Sequence, residues 1–256
     1  MVRVIISGAK GRMGTEVIKA VAQDDELEIV ALVDPSYADC CDSMHFATLE
    51  EALISSKADI MVDFTRPDTV EKNVEAALIA GVNCVVGTTG MNAETLEKLA
   101  RKATGDACLF VAPNFAIGAV MMMQASKLIA KYMGAVEIIE LHHDNKLDAP
   151  SGTALRTAEL IASSRESIQR TPGAETEIPG MEGARGAEYE GIHIHSVRLP
   201  GFVAHQEVIF GSLGQTLTIR HDSIDRTSFM PGVVLACKKV PALSGLVVGL
   251  ENLLED

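Results

Sequence analysis

The segment Glu140-Leu-His-His-Asp-Asn-Lys-Leu-Asp-Ala-Pro-Ser-Gly-Thr-Ala154 is the richest in chemistry in this 256-residue chain. Two imidazoles, His142 and His143, and the ammonium of Lys146 fall within five positions, just after an apolar run. Imidazole moves a proton near neutral pH, and lysine either fixes a carboxylate or donates a proton. Ser151-Gly152-Thr153 then opens a helical pattern, and the free N–H groups of a helix start suit a carboxylate. The combination describes a pocket for a small dianion that also needs a proton delivered. The same residues also fit a solvated strand end, so spacing alone does not separate the two.

A second constellation lies at the N-terminus, where Val2–Ser7 runs into Gly8-Ala9-Lys10-Gly11-Arg12-Met13-Gly14. Glycines between a strand and a helix allow a sharp turn, close approach of backbone N–H groups to a pyrophosphate, and tight helix–strand packing. The positive end of the following helix then faces the phosphates. The spacing is G-x-x-G-x-x-G rather than G-x-G-x-x-G, so its position between strand and helix carries the argument. Asp34 lies about 20 residues beyond Gly14 at the end of a second strand, where an acid accepts hydrogen bonds from an adenosine ribose. A turn residue before Pro35 is the plainer reading of Asp34. Lys10 and Arg12 would suit an extra phosphate, so both NADH and NADPH stay open. Gly87-Thr88-Thr89-Gly90 and Ala112-Pro113-Asn114-Phe115 follow two further strand patterns, on the edge of a parallel sheet where ligands bind. Turn chemistry alone also explains both.

The elements that must hold these groups follow a clear rhythm. Apolar runs at Val2–Ser7, 29–33, 60–64, 84–86 and 108–112 alternate with helical patterns at Arg12–Ala22, 48–54, 69–80 and 93–103. Such alternation predicts a parallel sheet covered on both faces. Asn92 is placed to cap one helix and Gly81 to end the one before it. After Pro113 come a long helix (117–132) containing Met121, Met122 and Met123 as core filler, a strand (135–141), and a helix opening near Thr153. Residues 171–191 read as a long loop. Strand patterns at 192–199, 207–211 and 216–221 follow without intervening helices, which predicts a mixed or antiparallel sheet. The helical pattern returns at 226–238. The fold class is therefore α/β, a Rossmann-like parallel-sheet domain plus a central α+β domain.

Composition excludes several classes. Lys and Arg number 22 against 35 Asp and Glu, a formal charge of −13 that disfavours nucleic acid as a partner. Five cysteines, odd in number and without a C-x-x-C, fit reduced thiols in the cytoplasm. No apolar run is long enough for a signal sequence or a membrane span. A metal site built on His193-x-His195 with His142 or His205 lacks a carboxylate or cysteine at a familiar spacing, so no metal is expected.

Taken together, the glycine loop, Gly87–Gly90, Ala112–Phe115, the 140–154 string and Arg226-Thr-Ser-Phe-Met-Pro-Gly232 resemble the 4-hydroxy-tetrahydrodipicolinate reductase family of bacterial lysine and diaminopimelate biosynthesis, over nearly the whole chain. The resemblance implies an NAD(P)H-binding domain made from both chain ends, 1–114 and 224–256, and a central domain, 115–223, that binds substrate and forms a homotetramer. It implies His142 as proton donor and acceptor, Lys146 as a second acid, and His143, Gly152 and Thr153 as holders of a dicarboxylate substrate. Gly8, Ala9, Lys10, Gly11, Arg12, Met13, Asp34, Gly87, Thr88, Thr89, Ala112, Pro113, Asn114 and Phe115 would hold NADH or NADPH. Two departures stand out: Pro35 follows Asp34 where some members carry an arginine, and Arg198-Leu-Pro-Gly201 replaces Arg-x-Gly-Asp. Two rival readings are another Rossmann-type dehydrogenase of amino or hydroxy acids, and a non-catalytic nicotinamide sensor. The proton-moving cluster argues against both.

Overall fold

Chain order sets the architecture in the computed structural model, which describes residues 1–40, 42–165 and 178–254. The elements are β1 (Val2–Ser7), α1 (Arg12–Ala22), β2 (Leu27–Val33), β3 (His45–Phe46), α2 (Leu49–Ser55), β4 (Ile60–Asp63), α3 (Val70–Ile79), β5 (Asn83–Val86), α4 (Ala93–Ala100) and β6 (Cys108–Val111). Then follow α5 (Ile117–Ile129), β7 (Ala135–His142), α6 (Gly152–Ala162), β8 (Ala187–Tyr189), β9 (Ile192–Arg198), β10 (Ala204–Ser212), β11 (Gln215–Ser223), α7 (Met230–Lys239) and β12 (Gly245–Val248). The chain divides into two compact units, Met1–Ile117 with the residues from Arg226 onward, and Gly118–Asp225.

The first unit is a seven-stranded sheet in the order β12-β6-β5-β4-β1-β2-β3, with every pairing parallel. Its inner strands are apolar on both faces: Val4, Ile5 and Ile6 of β1 and Ile60, Met61 and Val62 of β4 are fully buried. Two-sided burial is what a parallel sheet flanked by helices requires. Local signals start the helices, and the Asn92 cap falls where the sequence places it. Thr48 and Glu51 form a reciprocal capping box at α2, and the Asn92 side chain accepts the Thr95 N–H at α4. The strands run the same way, so their carboxyl ends share one edge of the sheet. The glycine loop, Asp34, Gly87–Gly90 and Ala112–Phe115 all lie on that edge.

The second unit is a five-stranded sheet, β11-β10-β7-β9-β8, antiparallel except for the β7–β9 pair. Alternation along β7 turns Val136, Ile138, Glu140 and His142 to one face, where the core of Met122, Ile138, Ala154, Ala158, Ile161, Ile192, Ile194 and Phe210 lies.

Several expectations need correction. The 171–191 stretch is not loop throughout, since β8 pairs with β9; its three residues are all exposed among glycines and show no pattern. Positions 171–177 and Cys41 lie outside the described residues. The strands β3 and β12 add to those the apolar runs predict; with two and four residues, they are too short for periodicity to register. Of the three consecutive methionines, Met122 and Met123 fill the core while Met121 is half exposed, as three adjacent helical positions cannot share one face. The 226–238 helix begins as a 3-10 turn over Arg226–Phe229.

Candidate active site

The glycine loop is shaped by close backbone contacts. Gly8 has φ +82°, a conformation that favours glycine, and its N–H donates to the Val33 carbonyl at 2.9 Å. A Cβ on Gly8 would meet the Phe64 carbonyl at 2.6 Å, and one on Gly14 would meet the Gly8 carbonyl at 2.1 Å. The first turn of α1 has no side-chain cap at Gly11 and no acidic residue. Its N–H groups are thus left for an anion, and nothing in that turn repels one.

Asp34 serves the turn and the loop together. Its carboxylate accepts from Ser36 N–H (3.0 Å), Ser36 Oγ (2.7 Å) and Lys10 N–H (3.1 Å). Burial alone would raise this carboxyl, but the hydrogen bonds from Ser36 and Lys10 outweigh it and hold its pKa below the usual range. A crevice of about 410 Å³ runs past Gly8, Gly11 and Asp34. Ala47, Thr48, Thr65, Arg66 and Lys72 also line it, none of which the sequence marked. These features fit a dinucleotide: a tight loop for a pyrophosphate, an uncapped helix start and a fixed anion for ribose hydroxyls.

The remaining predicted cofactor residues divide. Ala9 is buried, whereas Lys10 and Arg12 are exposed and Met13 is partly so. The Thr88 hydroxyl turns inward to Asp63 at 2.7 Å, and the residue is buried. Asn114 accepts the Ala116 N–H at 2.9 Å, and Ala112 N–H is bonded to Val86. Pro113 and Thr89 are exposed. The Phe115 ring lies in the core against Phe64 and Phe110, so only its main chain is offered to a ligand.

In the second unit one carboxylate organises the residues that the sequence predicts to meet substrate. Glu140, with no solvent exposure, bonds the His142 Nδ1 through Oε2 and accepts a two-pronged pair from Arg198 at 2.7 and 2.9 Å. Ser151 N–H donates to its other oxygen at 3.3 Å. Burial would raise this carboxyl, but hydrogen bonds from His142, Arg198 and Ser196 bring its pKa down to about 2, so it is ionised. An ionised carboxylate only accepts, so Nδ1 of His142 carries a proton and Nε2 is left to exchange one. Arg198 also donates to the Asp148 carbonyl at 2.8 Å, and Lys146 Nζ bonds both oxygens of Asp148 at 2.7 and 2.8 Å.

Ser151 Oγ caps α6 by accepting the Ala154 N–H at 3.2 Å. Beyond its chain neighbours and its own helix, a Cβ on Gly152 would meet nothing within 4 Å among the described residues, so the space over this helix start is open there. The Thr153 carbonyl is taken by Thr157 within the helix, and His143 contributes its carbonyl to the Lys146 turn. His193 and His195 occupy the opposite face of β9 from Arg198 and so cannot join His142; His195 bonds Glu137 at 2.9 Å, and His205 bonds Asp222 at 2.6 Å. Among the described residues no three His, Cys, Asp or Glu side chains form a metal-holding group.

Glu140 and Arg198 both stand in segments that the sequence marks, but nothing local marks them as a pair. The available signal is the period-two alternation, and it becomes a contact only once His142 is registered against Arg198 across β7 and β9.

Known proteins resemble this chain along nearly its whole length. The dihydrodipicolinate reductase N-terminal model matches residues 2–115 and the C-terminal model residues 118–254. A curated 4-hydroxy-tetrahydrodipicolinate reductase of Listeria welshimeri is 53% identical, covering 99% of this chain and 100% of the relative. The one from Geobacillus thermodenitrificans is 50% identical, with 99% of both chains covered. A dipicolinate-bound dihydrodipicolinate reductase from Paenisporosarcina sp. TG-14 superposes with a TM-score of 0.87 at 44% identity, covering 98% of this chain and 99% of that one. At 12% identity and a TM-score of 0.66, a probable dehydrogenase from Thermotoga maritima shares the fold alone. With both halves matched by its models and full-length relatives at half identity or better, the chain belongs to the dihydrodipicolinate reductase family.

Proposed function

We infer that the chain reduces 4-hydroxy-tetrahydrodipicolinate to tetrahydrodipicolinate with NADH or NADPH, in lysine and diaminopimelate biosynthesis. Family membership and the names of its relatives support the reaction. Substrate, reduced nicotinamide and a proton give product, oxidised nicotinamide and water. When bound, the nicotinamide supplies the hydride.

The observation that carries the reading at residue level is His142 tied through Nδ1 to the ionised, buried Glu140, on the same carboxylate that anchors the start of α6. Hydride addition to a conjugated imine leaves an enamine that must be protonated at carbon. His142 delivers that proton from Nε2, and Glu140 stabilises the imidazolium before transfer. That imine forms by loss of water: the hydroxyl departs with a proton from Lys146, steadied by Asp148, while the neighbouring C–H proton is released and the C=C bond forms. The ammonium also offsets carboxylate charge. His143, Gly152 and Thr153 hold the dicarboxylate, with one carboxylate over the open N-terminus of α6. In the first unit, the main chain from Gly8 to Met13 would hold the pyrophosphate and Asp34 the ribose, and Gly87–Thr89 and Ala112–Phe115 would hold the nicotinamide. The same reading includes a cytoplasmic location, to which the free thiols of Cys40, Cys84, Cys108 and Cys237 fit, and a homotetramer, which sedimentation would measure.

The test is a coupled assay with freshly generated substrate, following nicotinamide oxidation with each coenzyme in turn. Absence of turnover with both overturns the reading. Gly152→Ala probes the carboxylate position. The added methyl meets no atom within 4 Å among the described residues beyond its neighbours and its own helix, and alanine in place of a helical glycine should stabilise by up to about 1 kcal/mol. The substrate KM is expected to rise on the order of tenfold through displacement of the bound carboxylate. An unchanged KM would remove it from this helix start.

A further inference from the structure

Asp63, the last residue of β4, is a fully buried carboxylate that none of the roles above uses. Its Oδ1 accepts from Thr65 N–H (3.0 Å), Thr65 Oγ1 (2.7 Å) and Thr88 Oγ1 (2.7 Å). Its Oδ2 accepts from Asn73 Nδ2 at 2.8 Å, and that amide also donates to Ser7 Oγ at 3.1 Å. All of these donors are neutral. A buried carboxylate is tolerable only when hydrogen-bonded, so its donors are held as firmly as it is.

The donors are unevenly placed. Thr65 and Thr88 belong to the loops leaving β4 and β5, and Asn73 reaches Ser7, the residue before the glycine loop. The Gly87 N–H is also bonded to the Asp63 carbonyl at 3.0 Å. Between these loops Phe64 acts as a spacer. Its carbonyl fills the place of a Gly8 Cβ, and its ring comes within 2.0 Å of where a Gly87 Cβ would be. With Asp34 marking the ribose at β2 and the pyrophosphate over β1, the strand order puts the nicotinamide on the β4–β5–β6 side.

We propose that Asp63 is a positioning residue for the nicotinamide, fixing the Gly87–Thr89 loop relative to the phosphate loop through Thr88 and Asn73. The inference rests on the cofactor assignment above. An asparagine at this position would still accept from Thr65 and Thr88, but its NH2 would face the NH2 of Asn73, donor against donor.

The experiment measures affinity for NADH and for ADP-ribose, which lacks the nicotinamide, by calorimetry on the full chain, with thermal denaturation alongside. Thr88→Val is expected to weaken NADH about tenfold while ADP-ribose affinity stays within about twofold. Asp63→Asn should show the same contrast. The reciprocal Asp63→Asn/Asn73→Asp variant, in which donor and acceptor are exchanged and the Ser7 hydroxyl can turn to donate, should recover NADH affinity to within about threefold of wild type. Unchanged NADH affinity in Thr88→Val, or equal losses of NADH and ADP-ribose, overturns the proposal while the reductase reading stands. A wild-type chain that binds neither nucleotide overturns both.

Discussion

His142→Ala is expected to lower kcat by about 10²–10⁴ while leaving NADH affinity within about twofold of wild type. The magnitude is that of a positioned proton donor. The selectivity follows from the division of labour: every residue assigned to the coenzyme belongs to the first unit, and His142 to the second. Loss of the ring should not unfold the site. Glu140 would keep the Arg198 pair and the Ser151 N–H, so no buried charge is stranded. Steady-state kinetics with nucleotide titration checks the result. Turnover within threefold of wild type, or lost NADH binding with turnover intact, would remove His142 from its role.

Arg198→Met should produce the largest change in stability. Removing one partner of a buried ion pair typically costs about 3–5 kcal/mol, because the other charge is left without its counterpart. Glu140 has no solvent exposure and its carboxyl is lowered from 4.5 to about 2, so the folded state stabilises the charged form by on the order of 3 kcal/mol. The sign follows from the lowered pKa. This stabilisation is complete above the unfolded value near 4.5 and is lost as pH falls toward 2. In Arg198→Met two of the hydrogen bonds that oppose burial disappear and the Glu140 carboxyl moves upward. The gap between wild type and variant should therefore be widest at neutral pH and close on acidification. Urea unfolding at a series of pH values measures it, and a gap independent of pH would show that Arg198 acts by packing alone. Turnover should fall as well, because the same carboxylate holds the His142 ring and the start of α6.

Much of the first unit is legible in local pattern. β1 and α1 fall on the residues that apolar runs and glycine spacing indicate, because a two-sided apolar strand followed by G-x-x-G-x-x-G has few other ways to fold. Asp34 is more subtle. Ribose acceptor and turn residue are competing readings of the sequence, yet its position in the fold suits both, since the bonds to Ser36 and Lys10 that make the turn also hold the carboxylate ionised. Short elements such as β3, β8 and β12 exist because a neighbouring strand offers them a partner, and a local pattern carries no trace of that.

From sequence alone come the reacting types and their order: glycines before a helix, an acid about 20 residues on, and paired histidines with a lysine ahead of a helix start. What tertiary structure decides is which groups meet. Glu140 and Arg198 are 58 residues apart and become partners only through the β7–β9 register, and Asp63 and Thr88 meet across neighbouring parallel strands. Register and crossover are set by packing summed over whole faces of a sheet, so no window of sequence contains them. The hydrogen bond that orients the His142 ring, the open space over Gly152 and the burial of Asp63 beneath the loops after β4 and β5 all depend on that long-range information.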